Sequence, residues 1–246
     1  MTRYFRVVMM PAMNPEPNKQ GIAIQYASSP ARGFFAKIYY EHESDREHWL
    51  AGQQDSAQCP NCRKPMLLLL SLDTRDPRLE LSALALPRLP LMFCWTCGQA
   101  EIAYSLDKTG KFTLLKYDKF PADPDFPYES YPQYFAARHL RLIPIPPDVQ
   151  RAIAALNSDS EDEWEELGEF LHLDVPTHQV GGMPYLIQHN GDERHTCPQC
   201  GETAPFLAAV GDKSGSDKRL MGDEYVQVVF HFCRVCCVVI AYQACD

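Results

Sequence analysis

The sequence predicts an α+β fold, mainly β, built as an internal duplication of two β-rich cysteine-knuckle repeats joined by an acidic helical linker. Three observations predict it. First, a cysteine pattern occurs twice: Cys59-Pro-Asn-Cys62 with Cys94-Trp-Thr-Cys97, then Cys197-Pro-Gln-Cys200 with Cys233-Arg-Val-Cys236. The inner cysteines are separated by 31 residues in the first copy and 32 in the second, so the copies are offset by 138 and then 139 residues. Second, the flanks recur. Each copy places an apolar run after its first knuckle, writes its second knuckle as Phe-Cys-x-x-Cys, and continues into Ile-Ala-Tyr (102–104 and 240–242). A fixed-period repeat of this kind precedes every other structural inference. Third, the segment between the copies changes character. Residues 148–174 carry nine Asp or Glu against the single Arg151, a local charge of −8 out of −9 for the whole chain.

These observations divide the chain into a first repeat (1–147), an acidic linker (148–174) and a second repeat (175–246). The linker helices carry apolar stripes that need a surface to cover, so the two repeats are expected to pack as one compact body.

Paired Cys-x-x-Cys turns point to metal. Each turn aims two sulfurs at one ion, its backbone amides help to carry thiolate charge, and two turns complete the tetrahedral shell that Zn²⁺ prefers. The expected ligands are Cys59, Cys62, Cys94 and Cys97 for one Zn ion, and Cys197, Cys200, Cys233 and Cys236 for a second. Such a closed set leaves no position for water or substrate, so both ions are expected to be structural. Disulfides or buried thiols are the competing explanation for eight cysteines. Cys237 competes with Cys236 for the last ligand position, and the alignment of the copies favours Cys236. Cys237 and Cys245 then pack as ordinary small hydrophobes. His195 and His231 flank ligands and read as partly exposed side chains.

In chain order, Tyr4 to Met10, Gly21 to Gln25 and Phe34 to Tyr40 read as strands from their β-branched and aromatic content. Glu41 to Trp49 reads as a loop or short helix, with His42 and His48 solvated. Pro65 to Leu72 is too apolar for a half-exposed strand and is expected to be buried on both faces. Thr74 to Pro90, with three prolines, reads as a loop. Leu91 to Phe93, Glu101 to Ser105 and Phe112 to Tyr117 suggest an antiparallel meander, the last two strands joined by a turn at Asp107-Lys-Thr-Gly110. Pro121 to Pro132 reads as irregular.

Val149, Ala152, Ile153 and Leu156 share one helical face, and Asn157 is a stop. Ser160 with Glu163 signals a capping box, followed by an apolar stripe of Trp164, Leu167 and Leu171. Its carboxylates gather where the positive end of the helix dipole stabilises them. In the second repeat, Tyr185 to Gln188 suggests a short strand, Gly211 to Asp223 a loop, and Tyr225 to Phe232 and Cys237 to Tyr242 strongly β segments.

Composition excludes several classes. No apolar run reaches the length of a membrane span. The opening residues are apolar only briefly and are broken by Pro11, which fits no signal peptide. A cytoplasmic protein with reduced cysteines is expected. No basic footprint exists for a nucleic-acid backbone, which counts against a zinc-ribbon nucleic-acid binder, the alternative reading. The chain has no Gly-rich phosphate loop, no His-Glu-x-x-His and no nucleophile elbow, so no catalytic residue is assigned. His178, His189 and His195 with Asp192 and Glu193 have no diagnostic spacing for a hydrolytic site and read as exposed loop residues.

His178-x-x-Gly181-Gly182-x-Pro184-x-x-x-Gln188, followed by Cys197-Pro-x-Cys200, resembles the bacterial YwqG-like proteins and, more distantly, the programmed cell death protein 2 family. The specific resemblance covers about residues 175–246; the first half lacks a Gly-Gly-x-Pro segment before Cys59. The resemblance implies a mostly β, duplicated fold and a protein-binding role, chaperone-like in the eukaryotic relatives and immunity-like near bacterial toxin systems. By position, it implies that His178, Gly181, Gly182, Pro184 and Gln188 form a binding motif. The expected function is a zinc-stabilised module that binds a protein or peptide partner, with the acidic linker attracting a basic one.

Overall fold

In the computed structural model, residues 33–38, 48–52, 57–94, 101–117, 135–156, 178–186, 195–211 and 226–245 are described. The strands expected at 4–10 and 21–25, the irregular segment at 121–132, the second acidic helix and most of the 211–223 loop lie outside them.

The protein is mainly β. Among the described residues, eleven strands run as β1 (Phe34–Ile38), β2 (His48–Gly52), β3 (Leu67–Asp73), β4 (Arg88–Phe93), β5 (Glu101–Leu106), β6 (Phe112–Tyr117), β7 (Phe135–Pro144), β8 (His178–Val180), β9 (Phe206–Gly211), β10 (Val226–Cys233) and β11 (Val238–Cys245). One helix, α1 (Pro147–Leu156), is found among the described residues. The strands form one sheet in the order β4-β3-β2-β7-β1-β8-β9-β10-β11-β5-β6, and every neighbouring pair is antiparallel.

The apolar run after each first knuckle becomes a fully buried strand, as its composition requires. All seven residues of β3 and all six of β9 are buried. The β3 leucines and Leu207, Ala208 and Val210 of β9 join a core that also takes Phe93, Tyr104, Leu142, Val228, Phe230 and Val239, whereas Phe206 and Ala209 pack in a separate cluster with Val229 and Tyr242. Helix α1 starts on Pro147, which suits a first helical position because its missing N–H would have no partner there. Val149, Ala152 and Ile153 are buried, and Val149 and Ile153 cluster with Ile145.

The meander expected from 91 to 117 is only half present. β5 and β6 pair, with Asp107 capping their turn through hydrogen bonds from the Thr109 and Lys111 amides. β4 does not pair with β5, however. β5 pairs with β11, so the two Ile-Ala-Tyr segments lie side by side with Ile102 opposite Ala241 and Ala103 opposite Ile240. This register maps each segment onto the other. β4 instead forms an edge beside β3, an acceptable place for Pro90, which has no amide to donate to a ladder.

The outer edge of β4 meets Tyr104 of β5. The Met92 amide donates to the Tyr104 hydroxyl at 2.7 Å, and that hydroxyl donates to the Pro90 carbonyl at 3.3 Å. The sheet therefore curls until β5 covers the backbone groups that an edge strand would leave open.

Other departures are local. His48 and Trp49 belong to β2 rather than to a loop or helix, the loop after β3 ends at Pro87 rather than Pro90, and residues 185–186 of the strand expected at 185–188 form none, the other two lying outside the described residues. His48 is not solvated. It is 1% exposed, between Asp76 at 2.9 Å and the Asp73 amide at 3.1 Å. An amide only donates, so Nδ1 accepts and Nε2–H donates to Asp76. Arg78 also binds Asp76 and reaches the Leu142 carbonyl. Burial opposes the Asp76 charge, yet His48 and Arg78 hold its pKa well below the usual carboxylate range. The segment between β3 and β4 is thus built into the core rather than draped over it.

Candidate metal centres

The two first knuckles fold alike because each is a tight turn closed by the same amide bonds. In the first, Cys59 N–H donates to Lys64 O, Arg63 N–H to Cys59 O and Met66 N–H to Ala57 O. In the second, Cys197 N–H donates to Glu202 O, Gly201 N–H to Cys197 O and Ala204 N–H to His195 O. Each bond recurs 138 residues on. The residue that reverses the chain has a left-handed backbone in both, Arg63 at φ 62° and Gly201 at φ 76°.

The turns bring the cysteines together. The sulfurs of Cys197, Cys200, Cys233 and Cys236 lie within 4.8 Å of one another, as do those of Cys59, Cys62 and Cys94. Cys97 lies outside the described residues. Cys200 and Cys233 approach to 3.7 Å and Cys62 and Cys94 to 3.6 Å. A disulfide would need about 2.05 Å, and the described cysteines are free thiols. A tetrahedron with metal–sulfur bonds of about 2.3 Å has edges of about 3.8 Å. The donor set and its spacing therefore fit a metal ion at each group. Cys236, rather than Cys237, points to the cluster. Cys237 takes φ 57°, and burial raises its thiol pKa.

Electrostatics within the second group favour a cation. Burial works against the Cys197 thiolate, but the Cys200 and Gln199 amides and neighbouring thiols outweigh it and lower its pKa. Cys233 and Cys236 then resist ionising. Burial raises Cys233, and the hydrogen bond with Cys200, followed by burial, pushes Cys236 up to about 12. Four thiolates can coexist there only around positive charge.

The surroundings of the second group are polar. His195 and His231 lie with ring centroids 4.2 Å apart, and Tyr242 stacks on His195 at 4.5 Å. His195 pairs through Nδ1 with Glu101 at 3.0 Å, and Lys116 holds the other Glu101 oxygen at 2.6 Å. The His195 hydrogen bond leads the effects that lower the Glu101 pKa to about 2. His231 donates from Nδ1 to the Ala204 carbonyl, and burial lowers its pKa to about 3. His195 is 7% exposed, so it is neither a loop residue open to solvent nor a partly exposed flank.

The Gly-Gly motif is placed in part. His178 opens β8, buried, with Nδ1 unpartnered and its pKa lowered by burial to about 4. It too is not an exposed loop residue. Gly181 and Gly182 both take left-handed φ, 65° and 75°, which glycine supplies without a Cβ clash. Pro184 follows them, and Gln188 lies outside the described residues.

The side chain that organises this turn is Gln179, which the sequence reading overlooked. Its amide nitrogen donates to the Gly181 and Met183 carbonyls, and its oxygen accepts from Tyr185 N–H. Gly33 packs under the same turn, where a Cβ would come 2.9 Å from Ile145 Cδ1. A polar residue two positions before a pair of glycines was the available signal.

Comparison of the chain with protein-family models, with curated proteins and with solved structures finds no match.

Proposed function

We propose that the protein is a zinc-stabilised protein-binding module, chaperone-like or immunity-like, with two structural four-cysteine zinc sites. The observation that carries this reading is the closed set of thiols at tetrahedral-edge spacing around Cys197, Cys200, Cys233 and Cys236. Four sulfurs fill a zinc shell and leave no position for catalysis, so the ion stabilises the fold. Cys97 supplies the fourth ligand of the first site by its place in the repeated pattern. The internal duplication is supported by the knuckle hydrogen bonds that recur at one offset and by the mutual register of the Ile-Ala-Tyr strands. The His178 to Gln188 motif contributes to partner binding through the turn that Gln179 braces. The acidic linker attracts a basic partner, speeding encounter more than it fixes affinity.

No described helix is long and apolar enough to cross a membrane; a cytoplasmic location is part of the proposal. Elemental analysis of the purified chain, with unfolding followed before and after chelation, tests the metal. Two zinc ions per chain and loss of structure on chelation are expected; one ion or none refutes the paired sites. Capture of a basic protein that weakens as salt rises tests the partner, and salt-insensitive capture refutes a role for the linker.

A further inference from the structure

The two cysteine groups are joined by one side chain. Arg234 sits inside the second knuckle of the second group, between Cys233 and Cys236. Its guanidinium leaves that group and grips the segment that connects the cysteines of the first. One Arg234 nitrogen donates to the Glu80 carbonyl at 2.9 Å and the other to the Leu79 carbonyl at 3.2 Å. The Glu80 carboxylate lies 3.5 Å from the first of these nitrogens, but it is 64% exposed and adds little in water. The carbonyl bonds form the specific part of the contact, because a planar fork with several donors can serve two acceptors at once.

The gripped segment is held in a particular shape. Glu80 has φ 53°, a left-handed conformation that disfavours a residue with a Cβ when nothing supports it. On either side, Leu79 and Leu81 are buried in the core cluster that contains Cys59 and Cys94. A second tie runs alongside: Leu106 N–H donates to the Cys237 carbonyl at 3.3 Å, anchoring the end of the same knuckle on β5.

We infer that the two cysteine sites bind metal with positive cooperativity and that Arg234 is the positioning residue that couples them. The inference rests on the metal reading above. Metal in the second site fixes the Cys233–Cys236 turn and so places the Arg234 backbone. Without metal the turn loses that constraint, and the guanidinium must be ordered against its own rotamer entropy to reach Leu79 and Glu80. The segment between Cys62 and Cys94 then loses a support for its left-handed residue, and the first site must be organised at greater cost. Coupling between binding sites is reciprocal, so metal in the first site must favour the second by the same factor.

The test is a Co²⁺ titration of the full-length, metal-free chain under anaerobic reducing conditions, followed by thiolate-to-cobalt charge-transfer absorption. Cys200→Ser disables the second site and Cys62→Ser the first. Each single change is expected to weaken cobalt binding at the other site by a similar factor, about 5- to 150-fold. In an Arg234→Ala background, Cys200→Ser should leave first-site affinity where Arg234→Ala alone puts it. Arg234→Lys keeps the charge but not the fork and should behave as Arg234→Ala. Glu80→Gly keeps the carbonyl that Arg234 grips but needs no support for its left-handed backbone, so coupling should be smaller in it than in the parent without vanishing.

A purely destabilising change would lower both affinities without altering their dependence on each other. A saturated Arg234→Ala spectrum matching that of the parent shows that both sites still form. Independent affinities in the parent chain overturn the coupling while leaving the metal sites intact. Coupling that persists in Arg234→Ala overturns the assignment to Arg234. Absence of any cobalt–thiolate band in the parent overturns the metal reading itself and the inference with it.

Discussion

The two cysteine groups share a knuckle backbone and differ in what surrounds it. Around the first, the positions 138 or 139 residues before His195, His231 and Tyr242 are Ala57, Met92 and Tyr104. Ala57, Met92 and Tyr104 are 2% exposed or less and belong to the main core together with Cys59 and Cys94. Around the second, Cys197 and Cys233 pack in a small separate cluster with Ala103, Ala204, Val238 and Ile240, on the other face of β11 from the core residues Val239 and Ala241. There the flank holds two histidines, a tyrosine and a carboxylate. One backbone solution thus serves two environments. The turn is fixed by its own amide bonds, while the neighbours decide how far loss of a ligand spreads.

The largest expected effect follows directly. Cys94→Ser removes a thiol of the first group from within the main core, and Cys200→Ser removes one of the second group from an exposed position on the satellite cluster. Structural zinc sites contribute about 10–16 kcal/mol of apparent binding free energy in isolated fingers, more than most domains have to lose. Cys94→Ser is expected to abolish cooperative thermal unfolding, whereas Cys200→Ser should leave a folded chain with one ion and a lower Tm. Calorimetry with metal analysis of both variants checks this, and equal damage from the two would erase the distinction between the sites.

Next in size is Tyr104→Phe. It leaves the Met92 amide at the β4 edge unpaired inside the core, a loss of about 1–3 kcal/mol that urea unfolding can read. A smaller loss would mean that the edge relaxes toward water and that the curl of the sheet is soft there.

The polar flank should also respond to pH in a way the apolar one does not. The folded Glu101 pKa of about 2 lies below the ordinary 4.5 because His195 and Lys116 bind its charged form. A depressed carboxylate pKa means that the unfolded chain binds the proton first as pH falls. This stabilisation is therefore complete above about pH 4.5 and disappears toward pH 2. His231 acts in the same direction over a higher window. Buried and neutral, it resists protonation until about pH 3, whereas an unfolded histidine accepts a proton near 6.5. The stability difference between the parent and Glu101→Gln should be largest near neutrality and close below pH 4.5. A difference independent of pH would place the role of Glu101 in packing instead.

Much of this was legible in the sequence, and the misses have physical causes. The knuckles were legible because metal chemistry fixes residue type and spacing at short range. β3 and β9 were legible because strands buried on both faces must be largely apolar; the polar Ser71 and Asp73 fall only toward the end of β3. The β4–β5 pairing failed because neighbours in sequence usually pair, yet here each Ile-Ala-Tyr strand has its own counterpart as the complementary partner. His48 failed because its partner Asp76 lies 28 residues away and a lone histidine carries no periodic signature. Arg234 failed for the same reason on a larger scale, its acceptors lying 154 and 155 residues back in the other copy.

The smallest effect concerns the turn position where the two knuckles take a left-handed backbone with different residues. Gly201 and Arg63 both reverse their knuckles at positive φ. A Cβ at Gly201 would meet nothing within 4 Å, so Gly201→Ala tests backbone strain without any clash. It should cost about 1 kcal/mol, the lower end of the left-handed penalty for a residue with a Cβ. Arg63→Gly releases that strain but gives the unfolded chain more freedom, and the two terms oppose each other. Its net change should therefore be smaller than that of Gly201→Ala and may be followed by the same urea titration. If Arg63→Gly destabilises as much as Gly201→Ala, the Arg63 side chain must be contributing to its knuckle through more than its φ. The first site would then depend on its turn residue in a way that the second does not.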